Sequence, residues 1–467
     1  MSLYSLFSSK FTPTADQKEA LYLLEEFALS PTQNIFILKG FAGTGKTTIV
    51  DSLVQFLTKN EREYYLLAPT GKAAKVIQKY TRKFASTIHR KIYQAHNIGS
   101  YQNFELFENK SQGGVFIVDE ASMISSEEPG FMGNPLIEDF LEYVFMGQDC
   151  KIIFIGDVAQ LPPVNELFSA ALDPNFMGDL IGQRIKHIQL TQVIRQAQDS
   201  GILFNATLIR SNIESNIGQF PDFNFDSFND IEVITGQEVH EKLEEAYQEF
   251  GVEETVVLTR SNKTANLYNN QIRNRVFQHD EPITGGELLM VVKNNYYWTK
   301  DYDGIGFIAN GDTIEINRIQ NEEGIYNQEF LNVQCSLKDH YNNPEIDLKL
   351  IKAALNGVTA SMSKPEMDAF ILTIKEDIPE ESSRRKIWEY IKSTPHFNAI
   401  QVKYAYAITG HKAQGGQWDC VFIDQSFFKK EWLTVDYLRW LYTCFTRAKK
   451  KLYLVNFKFD FDKKPEF

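Results

Sequence analysis

Residues 40–47 read Gly-Phe-Ala-Gly-Thr-Gly-Lys-Thr, and no other segment narrows the fold of this chain so far. The pattern GxxxxGKT follows an apolar, β-rich run at 35–39 and opens a helix-like stretch at 47–58. In that strand–loop–helix setting the glycines turn backbone N–H groups toward a phosphate, and the helix N-terminus adds partial positive charge. Lys46 then reaches the β- and γ-phosphates of a nucleoside triphosphate, and Thr47 is placed to ligate Mg²⁺. Gly43, Thr44, Gly45, Lys46, Thr47 and Thr48 form the expected nucleotide-binding set.

A second motif completes the first. Val115-Phe116-Ile117-Val118-Asp119-Glu120 is an apolar strand ending in two acids. Behind a P-loop, Asp119 is the expected Mg²⁺ ligand, and Glu120 the base that polarises the attacking water. Without a P-loop the same pair would read as solvated acids at a strand end. The next apolar run, 152–155, leads into Gly156-Asp157-Val158-Ala159-Gln160, which sets Gln160 beside the γ-phosphate.

These strands alternate with helix-like segments (35–39, 64–67, 115–118, 152–155), the signature of a mainly parallel, helix-covered sheet. A second set starts at 255–259, continues through a helical 262–277, resumes near Tyr404 and ends at 452–455. Between them, 288–292, 296–299, 307–309, 313–316 and 330–335 look like short strands, with a turn at Asn310-Gly311-Asp312. That pattern predicts a small β-barrel inserted in the second α/β domain, followed by a largely helical segment at 339–395. At 467 residues the chain has length for about three domains.

Charge is distributed unevenly. The net charge of −13 is wrong for a uniform nucleic-acid binder. However, twelve acids and one lysine fall within 211–256, whereas 71–91 holds seven lysines and arginines and no acid. The basic run is a solvated helix face or a phosphate grip, and its place among the motifs favours the grip. Cys150, Cys335, Cys420 and Cys444 form no CxxC pair, so they are expected to be buried thiols in a reducing compartment. No apolar run reaches the ~18 residues of a membrane span, and residues 1–11 lack the basic start of a leader, which points to the cytoplasm.

The P-loop and the acid pair alone establish only a P-loop NTPase. With them, Ala68-Pro69-Thr70-Gly71-Lys72, Ser86-Thr87-Ile88-His89-Arg90, the Gln160 motif, Tyr406 to Gly415 and Leu441-Tyr442-Thr443-Cys444-Phe445-Thr446-Arg447 stand in the order of the superfamily 1B DNA helicases. The chain resembles the RecD/Pif1/Dda-like group over nearly its whole length. The resemblance implies an α/β fold with two RecA-like P-loop domains. Domain 1A would span 1–190, with a hairpin pin inserted at 92–114. Domain 2A would span 191–275 and 396–467, and domain 2B, an SH3-like barrel with a helical extension, 276–395. It implies ATP and Mg²⁺ as cofactors, and single-stranded DNA and single/double-strand junctions as partners of a monomer. It further implies 5′-to-3′ movement coupled to unwinding, in replication, repair or recombination. The alternative is an ATP-gated DNA-binding subunit, or a protein-displacing translocase without autonomous unwinding.

Residue by residue, the resemblance makes Gln17 the adenine-reading amide; outside the motif it would be an exposed helix glutamine. Arg447 matches the arginine finger and Arg195 the motif IV arginine, although the family usually has Glu where this chain has Gln192. Thr70, Lys72, Thr87 and His89 would hold DNA phosphates from domain 1A, and Thr409 and His411 from domain 2A; for His89 a core-satisfied histidine is the alternative. Tyr93, Tyr101, Phe104 and Phe107 could arm the pin, or pack on their own domain. Tyr296, Tyr297 and Trp298 stand between a DNA contact and barrel packing.

Overall fold

The computed structural model describes residues 2–98, 101–127, 133–194, 199–300, 302, 305, 307–340, 342–355, 357, 361–379, 382–425 and 427–459, with the side chains of 95–98 and 101–104 outside the description. Eight strands belong to the N-terminal part. They are β1 (Ile35–Gly40), β2 (Tyr64–Ala68), β3 (Ala85–Thr87), β4 (Tyr93–Ile98), β5 (Tyr101–Leu106), β6 (Val115–Val118), β7 (Lys151–Gly156) and β8 (Lys186–Leu190). Six form one parallel sheet in the order β3-β2-β6-β7-β1-β8. Every residue of β6 and β7 is buried, as continuous apolar strands must be when helices cover both faces. Register pairs Lys39 with Gly156, Leu67 with Val118 and Ala68 with Thr87, so the chain leaves β1, β2, β3, β6 and β7 along one edge. The P-loop, Thr70, His89, Asp119 and Asp157 are therefore neighbours because the sheet is parallel, and such an edge is where α/β sheets bind ligands.

The C-terminal part begins with β9 (Ile231–Ile234) and β10 (Thr255–Thr259). A barrel of β11 (Leu288–Val291), β12 (Thr313–Ile325), β13 (Gln328–Leu337), β14 (Glu345–Ile351) and β15 (Ile400–Tyr404) then interrupts it. β16 (Ala407–Thr409), β17 (Trp418–Asp424) and β18 (Ala448–Val455) complete a second parallel sheet, ordered β16-β10-β17-β18-β9. β4 and β5 stand apart as a two-stranded hairpin, paired from Tyr93↔Leu106 to Ile98↔Tyr101.

The barrel corrects the sequence reading in three places. First, β15 lies within the span expected for domain 2A, yet it closes the barrel between β11 and β14. Ile400, Val402 and Tyr404 enter the barrel core, while Gln401 accepts the Met362 N–H (2.8 Å) and Lys403 donates to Ala354 O (2.9 Å), so both faces are buried. Second, the strands expected at 296–299 and 307–309 reduce to a single bridge between Asn295 and Ile308. Third, the segment expected to be largely helical starts with β14 before its helices Lys364–Lys375 and Arg384–Ser393, whose Phe370, Ile374 and Ile391 pack on Phe330 and Ile351. Trp298 Nε1 donates to Asn398 O (2.7 Å) and Tyr297 OH to Ser393 O (3.2 Å), so both rings are engaged with their own domain. The four cysteines are buried and free. Among the described residues no helix is long and apolar enough to cross a membrane.

Candidate active site

The P-loop lies between β1 and the helix Lys46–Lys59, with Gly43 and Gly45 both in the left-handed region. At Gly45 (φ 83°) a Cβ would also sit 2.5 Å from Gln17 Nε2, so conformation and space both demand glycine. Thr44 is buried and its hydroxyl donates to Phe41 O (2.8 Å). Lys46 Nζ donates to Gly40 O (2.6 Å) and Phe41 O (3.0 Å), which holds the amine over the loop. Thr47 is exposed and Thr48 half-buried on the first helical turn. Gln17 sits under the loop rather than free of it. Its Oε1 accepts the Thr14 N–H (3.0 Å) in a capping box, and its Nε2 donates to Thr44 O (2.9 Å).

At the end of β6, Asp119 accepts the Glu120 N–H at Oδ1 (2.8 Å) and the Tyr80 hydroxyl at Oδ2 (2.9 Å). Burial, with the Glu120 charge beside it, raises the Asp119 carboxyl above its ordinary range, and burial also pushes the Tyr80 phenol well up. Glu120 holds φ 52°, a conformation non-glycine residues adopt at a cost and one that gathers at functional sites. Its Oε1 lies 3.6 Å from Arg447 Nη1 of the C-terminal α/β domain. Arg447 is held by Thr443 O (3.1 Å), Gly416 O (3.2 Å) and Thr446 Oγ1 (3.2 Å). Gln160 is only 4% exposed and its Oε1 has no hydrogen-bond partner.

A Mg²⁺-nucleotide fits these residues. Lys46 lies on the P-loop and Arg447 comes from the other domain, Asp119 is a half-buried carboxylate with one edge fixed by Tyr80, Thr47 is exposed, and the orphaned Gln160 oxygen supplies a group still seeking a donor.

The expected DNA contacts divide differently. Thr70 caps the helix Gly71–Thr81 by accepting the Ala73 N–H (3.3 Å), and Gly415 of the C-terminal domain packs so close that a Cβ would lie 2.9 Å from Thr70 Oγ1. Thr87 likewise caps the helix Ile88–Ile92. Thr409 is buried at the end of β16, and His411 is exposed two residues on. Burial lowers His89 to about 4, so its ring is a neutral hydrogen-bonding group. Lys72 lies over the Trp418 ring (5.2 Å to its centroid), with Asp312 and Asp339 of the barrel region nearby. The basic segment is thus no open face, because a cavity of about 220 Å³ separates Lys75, Thr87 and Arg90 from Asp312, Asp339 and His340.

Three further expectations meet mixed fates. Arg195 lies outside the described residues, as do the side chains of Tyr101 and Phe104. Gln192 accepts the Ala15 N–H (3.2 Å), tying this segment to the helix that carries Gln17. Phe107 is exposed at the hairpin base, where its N–H donates to Ile92 O (2.7 Å). Tyr93, by contrast, is buried and donates to Asp139 (2.5 Å), so it cannot arm a pin.

Sequence reasoning missed Tyr80 and the contacts of Arg439, Tyr442 and Thr443 across the cleft. The latter three lie within eight residues of Arg447 on one helix, a spacing that could have exposed them; Tyr80 carries no local signal.

Two parallel sheets with a P-loop and acid pair on one, and an arginine reaching across from the other, define a two-domain P-loop NTPase. A model of the AAA domain matches residues 13–220, and one of the UvrD-like helicase C-terminal domain matches 404–455. An uncharacterized protein of Acanthamoeba polyphaga mimivirus is 23% identical over 96% of this chain and 99% of its own length. The ATP-dependent DNA helicase dda of Enterobacteria phage T4 is 27% identical over 62% of this chain and 63% of its own. The ATP-dependent RecD2 DNA helicase of Deinococcus radiodurans is 31% identical over 36% of this chain and 21% of its own. The chain therefore spans nearly all of the mimivirus protein and less than two thirds of either helicase. Among solved structures, the Pif1 helicase from Candida albicans aligns at 16% identity with a TM-score of 0.48, over 96% of this chain and 95% of that one. The N-terminal part is thus similar to AAA domains and the C-terminal segment to the UvrD-like helicase C-terminal domain, and ATP-dependent DNA helicases are among the chain's relatives.

Proposed function

We propose that this protein is a DNA-stimulated ATPase that moves 5′ to 3′ on single-stranded DNA as a cytoplasmic monomer and unwinds duplex ahead of it. The observation that carries the reading is the placement of Arg447 of one α/β domain against Glu120 of the other. In the reaction, Lys46 binds the β- and γ-phosphates of ATP while Arg447 neutralises charge growing on the γ-phosphoryl oxygens. Glu120 takes the proton of the attacking water, and Gln160 orients that water. Mg²⁺, held by Thr47 and Asp119, would draw charge from the same phosphates. Arg195, as the motif IV arginine, is a second cation for this site.

Thr70, Lys72, Thr87 and His89 grip the strand from the first domain, Thr409 and His411 from the second. Because ATP ties Lys46 to Arg447, its hydrolysis loosens the cleft and shifts one grip against the other. Polarity rests on the family resemblance alone. A fluorescent forked duplex with only a 5′ or only a 3′ tail tests the reading. ATP-dependent unwinding of the 5′-tailed substrate is expected; unwinding of the 3′-tailed one alone reverses the polarity, and unwinding of neither removes the helicase assignment.

A further inference from the structure

The helix Val435–Phe445 turns one face, Arg439, Tyr442 and Thr443, toward residues 157–161 of the other domain. Arg439 Nη1 donates to Val158 O (2.6 Å), and Thr443 Oγ1 accepts the Leu161 N–H (2.9 Å). Gln414 Nε2 donates to Leu161 O (2.7 Å) from the same side of the cleft. Among these contacts the Tyr442 hydroxyl is distinctive. It donates to Asp157 Oδ2 (2.7 Å) and accepts the Ala42 N–H of the P-loop (2.9 Å). Tyr442 is 1% exposed and Asp157 0%, so water replaces neither bond.

This one hydroxyl therefore joins three pieces: the arginine-bearing helix, the P-loop backbone and the turn that ends in Gln160. Asp157 in turn holds that turn by accepting the Ala159 N–H (2.9 Å) and, at its own carbonyl, the Gln160 N–H (3.3 Å). A buried carboxylate that loses a donor is costly, and the turn it organises must shift to find another. The Gln160 side-chain oxygen Oε1 is itself unpartnered, so the backbone of this turn decides where it is presented.

We propose that Tyr442 is a positioning residue: its hydroxyl transmits closure of the interdomain cleft through Asp157 to Gln160, so that hydrolysis proceeds only when the second domain is seated. This rests on the ATPase reading above, with Arg447 and Tyr442 delivered together by one helix end.

The test is steady-state ATPase with saturating oligo-dT, on wild type, Tyr442→Phe, Gln160→Ala and the double variant. A wild type without DNA-stimulated turnover would defeat the ATPase reading itself, separately from this inference. Given wild-type turnover, Tyr442→Phe keeps the ring and should lower kcat by about tenfold or more, leaving the KM for ATP and the DNA affinity within about twofold. Gln160→Ala should lower kcat too, and the double variant should be no slower than the slower single, because both act through one arrangement. An unchanged kcat, a loss confined to KM, or multiplying effects in the double variant would overturn the inference. Should Tyr442→Phe fail to fold, Asp157→Asn decides by the same split: a kcat loss at constant KM supports it, and no kcat loss refutes it.

Discussion

Arg447 Nη1 stands 3.6 Å from Glu120 Oε1, so the two groups that would flank a γ-phosphate face each other across the domain boundary. The arginine is buried and hydrogen-bonded along its whole fork, whereas Glu120 is partly exposed and held in a left-handed conformation. Such a pair is preorganised on the arginine side, and a substrate that separates the charges finds the cation already in place.

Removing either charge should therefore cost turnover rather than binding. Glu120→Gln is expected to keep ATP and single-strand affinity while turnover falls about 10²–10⁴-fold, the usual contribution of a general base. Arg447→Ala should lose about 10³ or more. ATPase rates beside equilibrium binding of a fluorescent nucleotide check both, and wild-type hydrolysis by Glu120→Gln would move the base elsewhere.

His89 gives a pH prediction of definite sign. Its folded pKa of about 4 lies below the ordinary 6.5, so the unfolded chain binds the extra proton first. The contribution of a neutral His89 is complete above about pH 6.5 and is lost as pH falls from there to about 4. His89→Gln should flatten the acid limb of a thermal-denaturation series in that window. Because the ring is neutral at pH 7, His89 would grip a phosphate only as a hydrogen-bond donor, and the glutamine amide keeps such a donor, so the same variant should hold DNA affinity within about twofold. An equally steep acid limb in the variant would place the titration on another group.

The basic run should reveal itself in the salt dependence of binding. Each phosphate contact adds about −0.7 to the log–log slope for a single strand, so Lys72→Ala should flatten the slope by roughly that amount. Glu245→Lys, on the far helix Val239–Phe250 where Glu245 pairs with Lys242, should leave it unchanged. Equal changes from both would show that the slope reports net charge and not a grip.

What could be seen in the sequence was what is local in the chain. The P-loop, the acid pair after β6 and the Gln160 turn each sit on a strand end, and a parallel sheet brings strand ends together without further instruction. The Asn310-Gly311 turn was equally legible. β15 was not, because Gln401 and Lys403 interrupt its apolar residues and their partners, Met362 and Ala354, lie some forty to fifty residues upstream. Tyr80 was invisible for the same reason, since it meets Asp119 only after folding, whereas Tyr442 was near enough to Arg447 in the chain to be noticed although its partner Asp157 was not. The basic run was visible, but the barrel acids facing it were not.

The hairpin of β4 and β5 separates translocation from strand separation. Moving along a single strand needs the cleft and two grips, whereas parting base pairs also needs an obstacle where the duplex meets the protein. The base of this hairpin belongs to the domain: Ile92 and Tyr93 are buried, Tyr93 bonds Asp139, and the Phe107 N–H closes onto Ile92 O. The informative deletion therefore replaces 95–104 with a short Gly-Ser turn and spares Tyr93, Leu106 and Phe107. DNA-stimulated ATPase should stay within a few-fold of wild type, because the nucleotide-site motifs lie elsewhere in the sequence, at 40–47, 119–120, 157–160 and 447, and unwinding of a 5′-tailed duplex should fall sharply. Normal unwinding by the shortened protein would locate the obstacle elsewhere, with the helices Lys364–Lys375 and Arg384–Ser393 on the barrel next to be tested. Loss of ATPase together with unwinding would instead mean that the hairpin tip supports the first domain's grip on the strand.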